Sequence, residues 1–460
     1  MTTSTPGATR VTWGSKMAFI LAASGSAVGL GNIWGFPTIA AQNGGAAFAL
    51  IYLLAVLAIG APVMLAELII GRRSQLNPVG AFRKLAPETA WHLLGGLGVL
   101  IGLIILSFYT VIAGWTLAYI VKAVSGTFTA GADTAAIFTD MASSPVQAIG
   151  WHLAFAIITI VIVTGGIRDG IERWTKILMP TLFILLVLLA VRAVTLPGAG
   201  PGLEFYLKPD FSKVTGPVIL GAIGQAFFSL SLGMGAMITY GSYISKRDDL
   251  VSSAGLVTLF DTAIALLAGL IILPTLISAG LEPDASGPEM VFVVLSSLLS
   301  SIPPEPYGGV IFGTGFFLLL SIAAVTSSVS LLEVVVTWAV DERKTPRTKA
   351  AVTFGLVAFL VGVPSALANG AVGWLSSLPG VGVDFLTFMF IGSQQFGLVI
   401  GALLISLFVG WFWGVGNARE EVLVNDGKFP FERTWTFLIR YVCPVAIVAI
   451  LVQIVWSFVG

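Results

Sequence analysis

The stretch GSAVGLGNIWGFP, residues 25–37, decides how this chain folds. It lies in an apolar segment of the length that crosses a bilayer, about 20 residues. Yet it carries four glycines, an asparagine and a proline. Glycine in a helix interior is less stable than alanine by about 0.5–1 kcal/mol, so a span with this middle is either interrupted there or packed very closely. Taken alone, the stretch fits close packing, because Gly25-x-x-x-Gly29 lets two helix backbones approach.

A second stretch favours interruption. Residues 224–236 read GQAFFSLSLGMGA, again in mid-span, and Gly233-Met234-Gly235 lies 204 residues after Gly29-Leu30-Gly31. Each triplet falls in the first span of a block of five, so the two spans enter from opposite sides, as in an inverted repeat with discontinuous helices. Unwinding frees backbone groups that cost several kcal/mol each in hydrocarbon unless something binds them. Helix N-termini favour anions and free carbonyls favour cations. Two facing breaks can therefore hold an anionic group and a small cation together at mid-membrane.

The rest of the composition agrees. Of 460 residues, 57% are hydrophobic and 10% charged, and the mean hydropathy is +0.98. This is an all-α polytopic membrane protein; a barrel would show short alternating segments. Zero net charge suggests no nucleic-acid partner, and nothing assigns an oligomeric state. Cys443 is the single cysteine, so there is no disulfide framework, and His92 and His152 are far apart. No His–acid, Ser–Lys or metal cluster marks an enzyme. The opening MTTSTPGATR carries no signal-peptide pattern, so the first span is expected to be retained.

Eleven spans are expected at 15–40, 46–71, 91–123, 147–166, 171–194, 217–243, 253–279, 307–340, 348–368, 381–415 and 435–459. The corresponding organisation is a cytoplasmic segment 1–14, a first five-helix repeat 15–195, an external connector 196–216, a second repeat 217–415, and a loop plus eleventh helix 416–460. With the N-terminus in the cytoplasm, that side collects all but four of the 23 Lys and Arg; only Lys122, Arg192, Lys208 and Lys213 fall outside. The protein is expected in the plasma (inner) membrane with its C-terminus outside. The acidic, proline-rich loop 281–306 reads equally as a connector or as a cover over an external vestibule.

At these motifs the chain resembles the neurotransmitter:sodium symporter family. The likeness lies in GSAVGLGNIWGFP, NGGAAF (43–48), GQAFFSLSLGMGAMITYGSY and AAVTSSVSLLE, with weaker matches at GWT (114–116) and DFL (384–386), and runs over essentially the whole chain. It implies a LeuT-like 5+5 inverted repeat with broken spans 1 and 6, eleven transmembrane helices, and sodium-coupled uptake of an amino acid by alternating access.

The resemblance also implies site residues. A first sodium site would take the Ala27 carbonyl, Asn32, Ser229, Asp261 and the substrate's own carboxylate, which would link the two binding events directly. An acid inside a span is a functional candidate, although Asp261 also reads as a loop-proximal acid. A second site would take carbonyls of Gly25, Val28 and Ala323 with the hydroxyls of Thr326 and Ser327; such hydroxyls also bond back to their own helix. The substrate carboxylate would meet the N–H groups of Leu30 and Gly31 and the Tyr109 hydroxyl. Gly29 stands where amine transporters of the family carry an aspartate, which favours an α-amino acid. Ile105, Phe228, Ser231, Met234 and Leu331 would read the side chain, implying a hydrophobic or aromatic substrate, with Phe228 also an inner lid.

Arg10 and Asp341 match the inner gate pair, with Trp13 and Tyr243 packed around it. Gly170 and Pro180 match a helix that unwinds to admit water, or mark a simple kink. The outer gate departs from the pattern: the usual arginine is Gly35, while its acidic partner is retained as Asp384. The gate then closes without an ion pair, another base substitutes, or a cationic substrate group approaches Asp384. Asp261 supplies a negative charge near the first sodium, so chloride is not expected to be required. Other readings are a proton-coupled or uncoupled carrier of this fold, and a membrane sensor, which the short loops disfavour.

Overall fold

The computed structural model describes residues 10–128, 131–278, 290–300 and 307–459. All regular structure among them is helical. The greater part of loop 281–306, namely 281–289 and 301–306, lies outside the described residues.

The helices on which the expected spans fall are α1 (Lys16–Ala27) and α2 (Gly31–Gln42), α3 (Ala46–Ser74), α4 (His92–Val124), α5 (Pro145–Thr164), α6 (Ile167–Val194), α7 (Gly216–Ser229) and α8 (Ala236–Gly241), α9 (Leu250–Ile277), α10 (Tyr307–Arg343), α11 (Arg347–Leu367), α12 (Phe385–Phe412) and α13 (Glu432–Trp456). Nine described helices are long and apolar enough to span alone, and α1 with α2, bent by 56°, makes a tenth. The remaining expected span falls on α7 and α8, which are 14 and 6 residues long and separated by residues 230–235.

The two longest helices, α4 and α10, run against each other at the centre. Their apolar windows are 72% and 67% buried, against 22% for α13, whose Val445, Val452 and Trp456 face outward. A helix apolar all round is buried on the inside of such a bundle and faces lipid on its outside.

One buried charge cluster sits at the end of α3. Arg72, at the end of α3, is buried against the fully buried Glu421, Nε to Oε1 2.7 Å, and donates also to the Glu421 carbonyl and, at 2.7 Å, to the Asp248 carbonyl. Lys246 joins the same carboxylate at 2.6 Å. Burial pulls the Lys246 ammonium below its usual range, and the Glu421 carboxylate opposes that pull. This cluster ties the helix Val415–Val422, which precedes α13, to α3 and to the segment between α8 and α9.

Candidate functional site

The two breaks meet at the centre of the bundle. After Ala27 the backbone leaves the helix at Val28 (ψ 110°) and re-enters at Gly31 as a wide turn running into Phe36 and Pro37. Pro37 is the seventh residue of α2, past its first turn, where it has no N–H to give the helix ladder, and the wide turn immediately before it takes up that gap. Glycine at 29 leaves room for two hydroxyls: a Cβ there would lie 2.7 Å from Ser327 Oγ and 2.9 Å from the Tyr109 hydroxyl. At Gly31 it would lie 2.5 Å from the Phe228 ring.

The second break needs glycine for a different reason. Gly233 and Gly235 have φ of 88° and 77°, in the left-handed region. Ser231, at φ 53°, joins them there, and its hydroxyl donates to the Ser26 carbonyl at 3.0 Å. The freed N–H of Gly233 donates to the buried Glu67 of α3 at 2.7 Å.

Beside the breaks lies a closed polar cluster. Asn32 Nδ2 donates to Asp261 Oδ1 at 2.7 Å and to Ser229 Oγ at 2.8 Å, and Ser229 donates to Asp261 Oδ2 at 2.6 Å. Asn32 Oδ1 accepts from the Gly29 N–H at 3.1 Å, and Tyr52 donates to Ser229 at 3.0 Å. Asp261 is fully buried and lies well inside α9, so the loop-proximal reading of this acid is excluded.

On the other side of the first break, Ser327 Oγ of α10 donates to the Val28 carbonyl at 2.9 Å and lies 3.5 and 3.4 Å from the Gly25 and Ser26 carbonyls. Thr326 behaves differently. Its hydroxyl bonds back to the Ala323 carbonyl at 2.9 Å, the local alternative open to such residues.

Between these groups is a cavity of ≈ 40 Å³, on a measure by which one water needs about 10–15 Å³. Of the residues expected around a substrate, Ala27, Gly29, Leu30, Gly31, Ile105, Tyr109, Phe228, Ser231, Met234, Ser327 and Leu331 line it. Ser229 does not; it belongs to the polar cluster. The Leu30 N–H donates to the Tyr109 hydroxyl at 3.3 Å.

At one end of the bundle the N-terminal segment ties several helices together. Arg10 Nη1 meets Asp341 Oδ2 at 2.8 Å, Nη2 meets Ser242 Oγ at 2.9 Å, and the guanidinium lies 4.6 Å from the Tyr243 ring centroid. Trp13 donates to the Tyr240 carbonyl and packs edge-on against Tyr243. Gly14 N–H donates to Glu172 at 2.9 Å. Gly170 and Pro180 both lie in α6, which is helical throughout here; a Cβ on Gly170 would sit 2.2 Å from the Ile162 carbonyl. At the other end, Asp384 caps its own helix, accepting from the Thr387 N–H at 2.9 Å and hydroxyl at 2.6 Å.

Several residues escaped the sequence reading. Glu67 in LAELII and Glu333 in SLLEVVV are acids within apolar runs, a signal that was present. Glu333 accepts from Tyr243 at 2.8 Å and from both Nη groups of Arg347. Ser26, Ser330, Gln394 and Leu398 also line the cavity, and Gln225 donates to the Gly31 carbonyl.

Comparison with known proteins adds to this geometry. Residues 10–140 and 137–459 match the model of the Sodium:neurotransmitter symporter family. The uncharacterized sodium-dependent transporter YhdH of Bacillus subtilis is 39% identical over 453 residues, covering 97% of this chain and 98% of that one. An uncharacterized sodium-dependent transporter of Haemophilus influenzae is 35% identical, over 96% and 98%. The sodium-dependent serotonin transporter of Drosophila melanogaster is 26% identical, over 96% and 76%. The crystal structure of MhsT with L-phenylalanine matches with a TM-score of 0.87 and 44% identity, over 97% of this chain and 100% of that one.

Proposed function

The chain belongs to the sodium:neurotransmitter symporter family, and from that premise we propose that it imports an α-amino acid with a large apolar or aromatic side chain, coupled to two sodium ions. Its fold is the LeuT-like one, it is a sodium-dependent symporter that crosses the membrane many times, and its relatives are transporters rather than enzymes. The finer reading rests chiefly on the bare backbone at Gly29–Gly31. A Cβ at Gly29 would meet Ser327 and Tyr109, so no side-chain carboxylate fits there to receive an amine. A substrate carboxylate has two N–H groups and the Tyr109 hydroxyl within reach. The apolar walls, Ile105, Phe228, Met234 and Leu331, suit a hydrophobic side chain, and the phenylalanine bound to MhsT supports the same class.

In this reading sodium is cargo as well as driving force. The first ion would enter the Asn32–Ser229–Asp261 cluster with the Ala27 carbonyl and the substrate carboxylate. Sodium is a hard cation that takes oxygen ligands, so Asn32 would turn its amide oxygen towards the ion. The second would take the carbonyls of Gly25, Val28 and Ala323 with Ser327 and Thr326, and Thr326 would first release the Ala323 carbonyl. Arg10–Asp341 with Trp13 and Tyr243 would form the cytoplasmic gate, and unwinding of α6 between Gly170 and Pro180 would open the inner path. The distribution of Lys and Arg supports an N-terminus inside and a C-terminus outside. Asp261 would make chloride unnecessary.

The test is uptake of labelled leucine, phenylalanine and tyrosine into proteoliposomes under an inward sodium or potassium gradient. Uptake with sodium alone, unaffected by replacing chloride with gluconate and lost in Asn32→Ala, is expected. Equal uptake in both salts would sink the coupling.

A further inference from the structure

Residue 35 is glycine at the turn where span one resumes its helix, and the side chain nearest to it, after Phe228, belongs to Gln225. A Cβ on Gly35 would lie 3.5 Å from the Phe228 ring and 3.7 and 3.8 Å from Gln225 Nε2 and Oε1. Gln225 is buried, and its Nε2 donates to the Gly31 carbonyl at 2.8 Å. Phe228, three residues on and so on the same face of α7, covers Gly31 and packs edge-on against Phe390 of α12, with ring centroids 6.1 Å apart. Asp384, at the start of α12, spends both oxygens on Thr387 and has no cationic partner among the described residues.

We infer that the path opposite the Arg10–Asp341 end is shut by a neutral latch, in which the Gln225 carboxamide binds the Gly31 carbonyl and locks Phe228 over the cavity, with no ion pair at that end. Gln225 is a positioning residue: it joins α7 to the first break, so the two broken spans close together. A neutral donor suits this place because a buried unpaired cation is costly, and Asp384 is already committed as a helix cap. The inference rests on the alternating-access reading and concerns how this particular chain performs it.

A cysteine at Ala222, one helical turn before Gln225 and buried in this closed form, reports opening through its reaction with a membrane-impermeant thiol reagent. The background is Cys443→Ala, since Cys443 is the only native cysteine. In sodium buffer, Gln225→Met is expected to label about five- to tenfold faster, the loss of one hydrogen bond, and Asp384→Asn less than about twofold faster by the same scale. Gln225→Glu separates a latch from simple packing: its protonated carboxyl can donate to the Gly31 carbonyl and its ionised form cannot. Labelling of Gln225→Glu should therefore be slow at low pH and fast at high pH, relative to Gln225→Met at each pH. A Gln225→Met rate equal to the unsubstituted one, a pH-independent Gln225→Glu ratio, or Asp384→Asn as the larger effect would each overturn the latch. The readout needs no identified substrate. A latch that behaves as expected in a chain that takes up no amino acid would count against the transport reading alone.

Discussion

The two helix breaks share the spelling Gly-x-Gly and use it differently. At the first, the glycines have ordinary backbone angles and exist to leave room: Ser327, Tyr109 and Phe228 occupy the places their Cβ atoms would fill. At the second, the glycines bend the chain through positive φ, and a Cβ on Gly233 would sit 2.1 Å from the Leu398 carbonyl oxygen. The polar partners differ to match. Free carbonyls at the first break meet the Ser327 hydroxyl, and a free N–H at the second meets the Glu67 carboxylate. The first break thus leaves its Val28 carbonyl oxygen held by a single hydroxyl, while the second is fastened internally and shapes the wall.

Substitution can sharpen or destroy this contrast. The largest effect is expected at Gly233→Ala, where positive φ and a backbone clash act together. It should destabilise by more than about 4 kcal/mol and yield no monodisperse protein in detergent size exclusion. Gly29→Ala meets only the ends of side chains that can shift. It should fold and lose uptake on the order of 100-fold, equivalent to about 2.7 kcal/mol. If Gly29→Ala also fails to fold, the two breaks are not different in kind. Next comes Glu67→Gln, which keeps an acceptor for the Gly233 N–H and removes its charge. It should lower thermal stability by about 1 kcal/mol with the sodium dependence of uptake unchanged. Ser327→Ala should cost a similar or smaller amount of stability, about 0.5–1 kcal/mol, and weaken apparent sodium affinity about tenfold, or about 1.4 kcal/mol. An unchanged sodium dependence there would remove Ser327 and the Val28 carbonyl beside it from ion binding and leave the Asn32–Ser229–Asp261 cluster to be tested separately. The smallest change is expected at Gly35→Ala, within about 0.5 kcal/mol, because the nearest atom to the new Cβ is 3.5 Å away.

The breaks were legible in the sequence because glycine inside a hydrophobic run has few explanations and two matched runs have fewer. Helix positions were legible from the length of the apolar runs: expected 91–123 became His92–Val124, and 348–368 became Arg347–Leu367. The division of labour between the triplets was not, since φ and available space depend on neighbours such as Leu398 and Ser327 that are distant in sequence. The cavity lining followed from motif likeness at Ile105, Phe228 and Met234, whereas Gln394 and Leu398 carry no local signature and arrive only because α12 packs across the second break. Thr326 illustrates a hydroxyl whose two possible partners cannot be ranked from sequence. Here it takes its own helix. Glu67 and Glu333 were visible as acids in apolar runs, but their roles depended on finding Gly233, Tyr243 and Arg347 beside them.

The buried pair of Arg72 and Glu421 has a consequence in time. The two residues are separated by 349 positions, so a ribosome delivers the arginine long before its partner exists. Through most of synthesis Arg72 would then stand unpaired beside Arg73, where basic residues bias which way a nascent hairpin inserts. Only when the helix Val415–Val422 emerges does the guanidinium find its carboxylate and become enclosed. One side chain would thus serve first as a topological address and later as an assembly checkpoint. A chain ending before residue 421 would insert correctly and leave an unmet charge for quality-control proteases to find, and pulse-chase comparison with Glu421→Gln would reveal that as rapid turnover with normal insertion.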